Sequence, residues 1–243
     1  MHLRVRWYEL RGLAESARRK AVQDVIEARL GQILGAPTRI HGSGRTDAGV
    51  HASAQVFHFD ASWRHGPAKL AAAMRNGLDR SVQIVSVRAA PARFHARFSA
   101  TGKIYIYHVF MGDADPFTRP FCWSLQRPLD IEAVRAAAAV LRGTHDFKAF
   151  SAANGTEDGE ATDTVRSLRR LEVSVRGRHL RIVAEANGFL YKMVRRLVGA
   201  MVEAGEGKLT VRDLEKFFAS GARTARIQTA PPQGLFLHRV LYR

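Results

Sequence analysis

Thr38-Arg39-Ile40-His41-Gly42-Ser43-Gly44-Arg45-Thr46-Asp47-Ala48-Gly49-Val50-His51-Ala52-Ser53-Ala54-Gln55-Val56-Phe57-His58-Phe59 reads as two extended runs joined by a glycine-rich loop with one carboxylate between small residues. The runs are Thr38 to His41 and Ser53 to Phe59, and in the second apolar Val56 alternates with other residues in the period-two manner of a half-buried strand. Glycines at 42, 44 and 49 let the backbone take positive φ and let a ligand come close, so Asp47 is a candidate to face a cleft. Arg45, two residues away, lies on the same side if the chain is extended there, where it would hold the carboxylate ionised or position a phosphate. Two plainer readings stand beside this one. Asp and Gly are the commonest turn residues, and many such clusters only reverse the chain. A metal or phosphate site from His41, Asp47 and His51 is the other; Asp47 and His51 share a face only on a helix, which the glycines oppose.

Working outward, Val22, Val25, Ile26, Leu30, Ile33 and Leu34 recur at helical spacing and close at Gly35, after an apolar-alternating start from Leu3 to Tyr8. Pro67 to Leu78 reads as helix, Val82 to Val87 as strand, and Phe98 to Phe110 as a long strand rich in β-branched and aromatic residues. Asp115-Pro116 and Arg119-Pro120 mark a connection. A second half follows with a helix through Ile131, Val134, Ala138 and Leu141 ending at Gly143, and a polar loop from Ser151 to Asp163. Strands Thr164 to Val175 and His179 to Ala186 flank a turn at Arg176-Gly177-Arg178. Helices through Phe189 to Met201 and Val211 to Phe218, then a strand at Leu235 to Leu241, complete it. The expected class is α+β in two halves, 1–112 and 113–243.

With 243 residues and 46% hydrophobic content, the chain can bury a proper core. The formal net charge of +16 and the preference for Arg over Lys suit a polyanionic partner, although Arg-rich usage on a solvated surface gives the same balance. The lone Cys122 excludes an internal disulfide and a cysteine-based zinc site, which fits a reducing cytoplasm. No apolar run is long enough to span a bilayer.

Gly44 to Ala52 resembles the signature loop of the tRNA pseudouridine synthase A family, and the likeness continues into Gln55-Val56-Phe57-His58-Phe59-Asp60. Further pieces follow in family order: Phe94 to Thr101, Tyr105-Ile106-Tyr107, Asp146 to Phe150, Thr164-Val165-Arg166, Asn187 to Arg195 and Ala230 to Leu235. The resemblance implies two ferredoxin-like, RNP-like halves whose antiparallel sheets meet at a central RNA-binding cleft, usually in a homodimer. It implies isomerisation of uridine to pseudouridine in the anticodon arm of tRNA, at positions 38 to 40, without cofactor or metal.

By the same resemblance Asp47 is the catalytic aspartate, Tyr105 the pocket tyrosine that stacks on the flipped base, and Arg195 the arginine that pairs with Asp47. Arg45, Arg97 and Lys103 are the candidate RNA contacts. Read without it, Tyr105 is a strand aromatic, and Arg195 is a surface charge beside Arg196, off the apolar face of Met193, Leu197 and Met201. Tyr105 and Tyr107 share one side of their strand, and two adjacent buried phenols need hydrogen-bond partners. Histidines 51, 58, 95 and 108 lack metal-ligand spacing and read as polar core or RNA-facing residues. Glu9 to Lys20 departs from the family, which carries a Gly-Trp-Gln element there. A binding-only RNA protein or chaperone of the same fold is therefore the rival reading, and a metal-dependent phosphoesterase using Asp47 and His51 is a third.

Overall fold

The computed structural model describes the backbone of residues 2–7 and the whole of residues 21–153 and 163–243. In chain order it forms β1 (His2–Trp7), α1 (Val22–Leu34), β2 (His41–Gly42), β3 (His51–Ala52), β4 (Gln55–His58), α2 (Gly66–Arg75), β5 (Val82–Arg88), β6 (Ala100–Met111), β7 (Trp123–Leu125), α3 (Ile131–Leu141), β8 (Gly143–Asp146), β9 (Val165–Arg176), β10 (His179–Ala186), α4 (Met193–Gly205), α5 (Val211–Ser220) and β11 (Leu235–Tyr242). These fall into two compact units, Met1–Thr101 with Leu237–Arg243, and Gly102–Phe236. The class is α+β, as the mixed periodicities predict.

In the first unit β2, β4, β1 and β5 form an antiparallel sheet in that order, with Leu3 opposite Phe57 on one side and Val87 on the other. The Asp24 carboxylate accepts the Ala21 amide at 2.9 Å to start α1, and Gly35 ends it at φ 73 with its amide on the Gly31 carbonyl. Arg75, in the last turn of α2, donates to the Ile84 and Val85 carbonyls at 2.6 Å each, which ties the helix to β5. The core between sheet and helices holds Ile26, Leu30, Phe57, Phe59, Leu70, Met74 and Ile84. Each such side chain contributes about 1.5–3 kcal/mol by leaving water.

In the second unit β6, β10, β9 and β8 pair antiparallel in that order, and β7 joins β6 in parallel. Helix α3 packs on α4, α5 and β9. The Asp130 carboxylate caps α3 by accepting the Glu132 and Ala133 amides, and Thr210 with Asp213 forms a reciprocal box at the start of α5. Val134, Leu141, Leu168, Leu180, Leu197, Met201 and Leu214 are completely buried.

The predicted elements differ from the structure mainly at their ends. Of the run Thr38 to His41, only His41 pairs in the sheet, through β2. Gly143, expected to close α3, instead opens β8 at φ 135. Gly-Thr-His-Asp has no apolar residue, so no alternation announces the strand. Most of the polar loop expected from Ser151 to Asp163 lies outside the described residues, as does the atypical Glu9 to Lys20 segment.

Candidate functional site

The Asp47 loop is held at its base by one buried side-chain pair. Ser43 is completely buried; its amide donates to the Val56 carbonyl at 2.8 Å and its hydroxyl to Gln55 Oε1 at 2.5 Å. The Gln55 amide nitrogen donates to the Gly44 carbonyl at 2.9 Å, and its oxygen also accepts the Val56 amide. At the tip, the Val50 amide donates to the Asp47 carbonyl at 3.1 Å and Gly49 sits at φ 81. Of the three loop glycines expected to use positive φ, Gly49 does so and Gly42 and Gly44 do not. Asp47 is half-buried and Arg45 exposed. Residues 45–50 form no helix, so the i, i+4 geometry required of an Asp47 and His51 metal pair is not met.

Ser43 and Gln55 escaped the sequence reading because residues twelve apart across a loop leave no periodic signal. Gln55→Ala removes the acceptor of the buried Ser43 hydroxyl and the donor to the Gly44 carbonyl, and losing a buried hydrogen-bond partner costs about 1–3 kcal/mol. At about 2–4 °C per kcal/mol for a chain of this length, the expected result is a melting temperature several degrees lower, with turnover falling further than stability does. Thermal denaturation and turnover measured side by side check this; an unchanged melting temperature contradicts the clamp.

Three histidines gather behind the loop. His41 stacks on His58 at 5.1 Å between ring centroids, and His95 meets His58 edge-on at 4.5 Å. His58 Nδ1 accepts the Ala96 amide at 3.1 Å. Burial, then the neighbouring His95 and His41, hold the His58 imidazole below its usual range, against smaller opposing pulls from a hydrogen bond with the His41 backbone and from Asp60. Above about pH 6.5 both folded and unfolded chains keep this ring neutral; below it the unfolded chain takes the proton first. Stability is therefore expected to fall as pH drops below that point, and the slope to flatten in His58→Gln. Melting curves across this range test it, and an unchanged slope in the variant contradicts it.

In the second unit, Tyr105 lies half-buried on β6, opposite Ala184, and its ring meets Phe189 edge-on at 5.1 Å. Tyr107, on the same strand side, is 1% exposed and its hydroxyl donates to the Pro231 carbonyl at 2.7 Å, the partner that burial demands. Burial pushes its phenol well above the ordinary range, while the Arg195 charge pulls the other way. Arg195 Nε donates to the Ala230 carbonyl at 2.7 Å, and the Ala230 amide returns a bond to the Arg195 carbonyl at 3.1 Å. The Ala230 to Gly234 segment is thus fixed to α4 at one end and to β6 at the other. At Gly234 a Cβ would come 2.6 Å from the Tyr107 ring, so only glycine lets the strap lie this close.

Arg195 is half-buried, not the surface charge that its neighbour suggested. Arg196 is buried at 8% exposure, and its guanidinium donates to the Ala149 and Thr224 carbonyls. Helix α4 is covered on nearly all sides, which takes Arg196 inside and leaves Arg195 only partly exposed. Arg45 and Arg97 are exposed and Lys103 half-buried on β6. Beside Lys103 the β9–β10 register shifts, pairing Glu185 with Arg170 and Ala186 with Leu168, and the Arg169 guanidinium between them crosses Gly102, where a Cβ would also lie 2.8 Å from the Ala186 carbonyl. The sequence reading missed Arg169; the signal available was the broken alternation in Leu168-Arg169-Arg170-Leu171.

Comparison with known proteins shows the family of the chain. The sequence profile described as tRNA pseudouridine synthase matches residues 11–99 and 137–243. The chain belongs to the tRNA pseudouridine synthase family. The matched stretches contain the Asp47 loop, Arg45, Arg97 and Arg195, while Lys103 and Tyr105 fall between them. A tRNA pseudouridine synthase A of Akkermansia muciniphila is 41% identical over 229 residues, spanning 92% of this chain and 86% of that one. One of Geobacillus sp. is 39% identical over 226 residues, spanning 92% and 90%. A third, tRNA pseudouridine synthase A 1 of Protochlamydia amoebophila, is 39% identical over 203 residues, spanning 83% and 78%. Family membership makes the protein an isomerase and its α+β architecture a pseudouridine synthase fold. Among the described residues no helix is long and apolar enough to cross a membrane.

Proposed function

We propose that this enzyme converts uridine to pseudouridine in the anticodon arm of tRNA, at positions 38, 39 and 40, with Asp47 as the acting carboxylate. The observation that carries the reading is the family match, which runs through both the Asp47 loop and α4 at about two-fifths identity to named relatives. The chemistry is balanced within the substrate: the bond from N1 to the ribose C1′ breaks, C5 bonds to C1′ in its place, and the proton lost from C5 is replaced by one on N1. No electrons enter or leave, so the needed parts are a carboxylate, a base-stacking ring and cationic contacts to phosphate. Asp47 supplies the first and Tyr105 the second, its ring already braced edge-on by Phe189. Arg195, tied to Ala230 on both sides, supplies a cation whose position is set before substrate arrives. Arg45, Arg97 and Lys103 take the RNA backbone, in keeping with the net charge of +16.

The working form is a homodimer in the cytoplasm. The test is nucleoside analysis of unmodified tRNA incubated with purified protein, with a chelator and without. Pseudouridine should accumulate equally in both. Dependence on a divalent ion would favour the phosphoesterase reading, and tight tRNA binding without pseudouridine would favour the binding-only one.

A further inference from the structure

One residue beyond Arg195, helix α4 carries a second guanidinium into the protein interior. Arg196 is only 8% exposed and donates to the Ala149 carbonyl at 3.4 Å and to the Thr224 carbonyl by a shorter bond. Its Nε has no hydrogen-bond partner among the described residues. Burial pulls the guanidinium pKa down, against the attraction of the Glu203 carboxylate two turns further along the helix. Taking such a charge out of water is costly, and a well-packed apolar side chain of similar volume often serves stability as well or better. Stability is therefore a weak reason for an arginine at this position. What its planar fork does give is geometry, because two backbone carbonyls far apart in sequence are held at once.

Both carbonyls belong to segments that converge on the first turn of α4. Ala149 sits in the short 3-10 turn Lys148–Phe150, and three residues on the Ala152 amide donates to the Tyr191 carbonyl at 3.1 Å. Thr224 opens the segment that ends at Ala230, which exchanges two bonds with Arg195. Between them, the Gln228 amide donates to the Glu203 carboxylate at 3.4 Å, and the Gln228 carbonyl lies so close to Gly199 that a Cβ there would overlap it. Arg196, Gly199 and Glu203, at i, i+3 and i+7, thus make one face of α4 the bed of residues 224–230. The turn that these ties surround is itself strained: Lys192, at φ 57, is the one residue other than glycine with positive φ among the described residues. Backbone in that region persists where the surroundings over-determine it.

We propose that Arg196 is a positioning residue for Arg195, bridging the segments 149–152 and 224–230 so that the Arg195 guanidinium stands in one place before substrate arrives. Gly199 and Glu203 complete the bed at its far end. This rests on the reading of Arg195 as a group that meets the substrate, and gives a task to a neighbour that touches no substrate itself.

The experiment compares wild type, Arg196→Lys and Arg196→Met in the full chain, well below the melting temperature of each. One readout is turnover on unmodified tRNA, resolved into kcat and KM. The other needs no RNA: the Nε–H nuclear magnetic resonance of Arg195 in protein carrying isotope-labelled arginine, identified by its loss in Arg195→Lys. Arg196→Met should lower kcat roughly tenfold to a hundredfold, as a slightly misplaced group does, and leave KM within about twofold. Arg196→Lys keeps the charge but reaches one carbonyl at a time, so it should regain part of that loss, and it carries the test if Arg196→Met fails to fold. The Arg195 signal, slow to exchange while its Nε–H is bonded to the Ala230 carbonyl, should shift and exchange faster in both variants. An unchanged Arg195 signal in a folded variant, a kcat within about twofold of wild type in Arg196→Met, or a loss confined to KM would overturn the proposal. A purely structural part for Arg196 predicts a lower melting temperature with kcat and the Arg195 signal intact. Failure of the positioning role is separable from failure of the isomerase reading. Pseudouridine from wild type, with the same kcat and the same Arg195 signal in every variant, sinks the positioning role alone. No pseudouridine from wild type, with an Arg195 signal that shifts in the variants, supports the tie and sinks the other.

Discussion

Asp47→Asn is expected to lower pseudouridine formation by on the order of a thousandfold or more while leaving tRNA affinity close to that of wild type. Asparagine keeps the size of the side chain and removes its negative charge and its capacity to take a proton or attack carbon. The loop should survive the change, because the bonds made by Ser43, Gln55 and the amide of Val50 are left in place. Affinity should if anything rise, since a carboxylate repels the phosphate backbone. Single-turnover assays with saturating enzyme separate the chemical step from binding. Retained turnover in Asp47→Asn, with tRNA bound, would remove this residue from the chemistry.

Gly199→Ala should be the most disruptive single methyl group in the second unit. A Cβ at Gly199 would overlap the Gln228 carbonyl oxygen and lie 2.9 Å from its carbon, and both are backbone atoms that no side-chain rotation can move aside. Overpacking of this kind costs about 1–3 kcal/mol, occasionally more, and about 2–4 °C of melting temperature per kcal/mol. The Gln228 segment leads directly to Ala230 and Pro231, which hold Arg195 and Tyr107, so the displacement reaches the site. Turnover should therefore fall beyond what the lost stability explains. Gly207→Ala is the contrast: it faces open space, and its cost is the strain of φ 73 alone, about 1–2 kcal/mol. If Gly199→Ala leaves both melting temperature and kcat unchanged, the strap does not position Arg195.

Local physics made much of this fold legible in the sequence. Helix α1 ends where Gly35 was expected to end it, β6 runs where β-branched and aromatic residues crowd, and Tyr107 found the partner that a buried phenol needs. What stayed hidden depends on residues far apart in the chain. The partners of Arg196 are carbonyls 47 and 28 residues away, so its burial could not be seen from the run Arg195-Arg196. Gly199 did carry a signal, a glycine inside a strongly helical pattern, which often marks a close approach. Periodicity placed Asp47, Tyr105 and Arg195 on a loop, a strand and a helix; their proposed roles come from motif resemblance.

The most direct test of the central claim is nucleotide-resolution mapping of pseudouridine in unmodified tRNA after incubation with the wild-type enzyme. The account predicts product at positions 38 to 40 of the anticodon arm and nowhere else. Product confined to another arm of the tRNA, or none at all from folded protein that binds tRNA tightly, would contradict it.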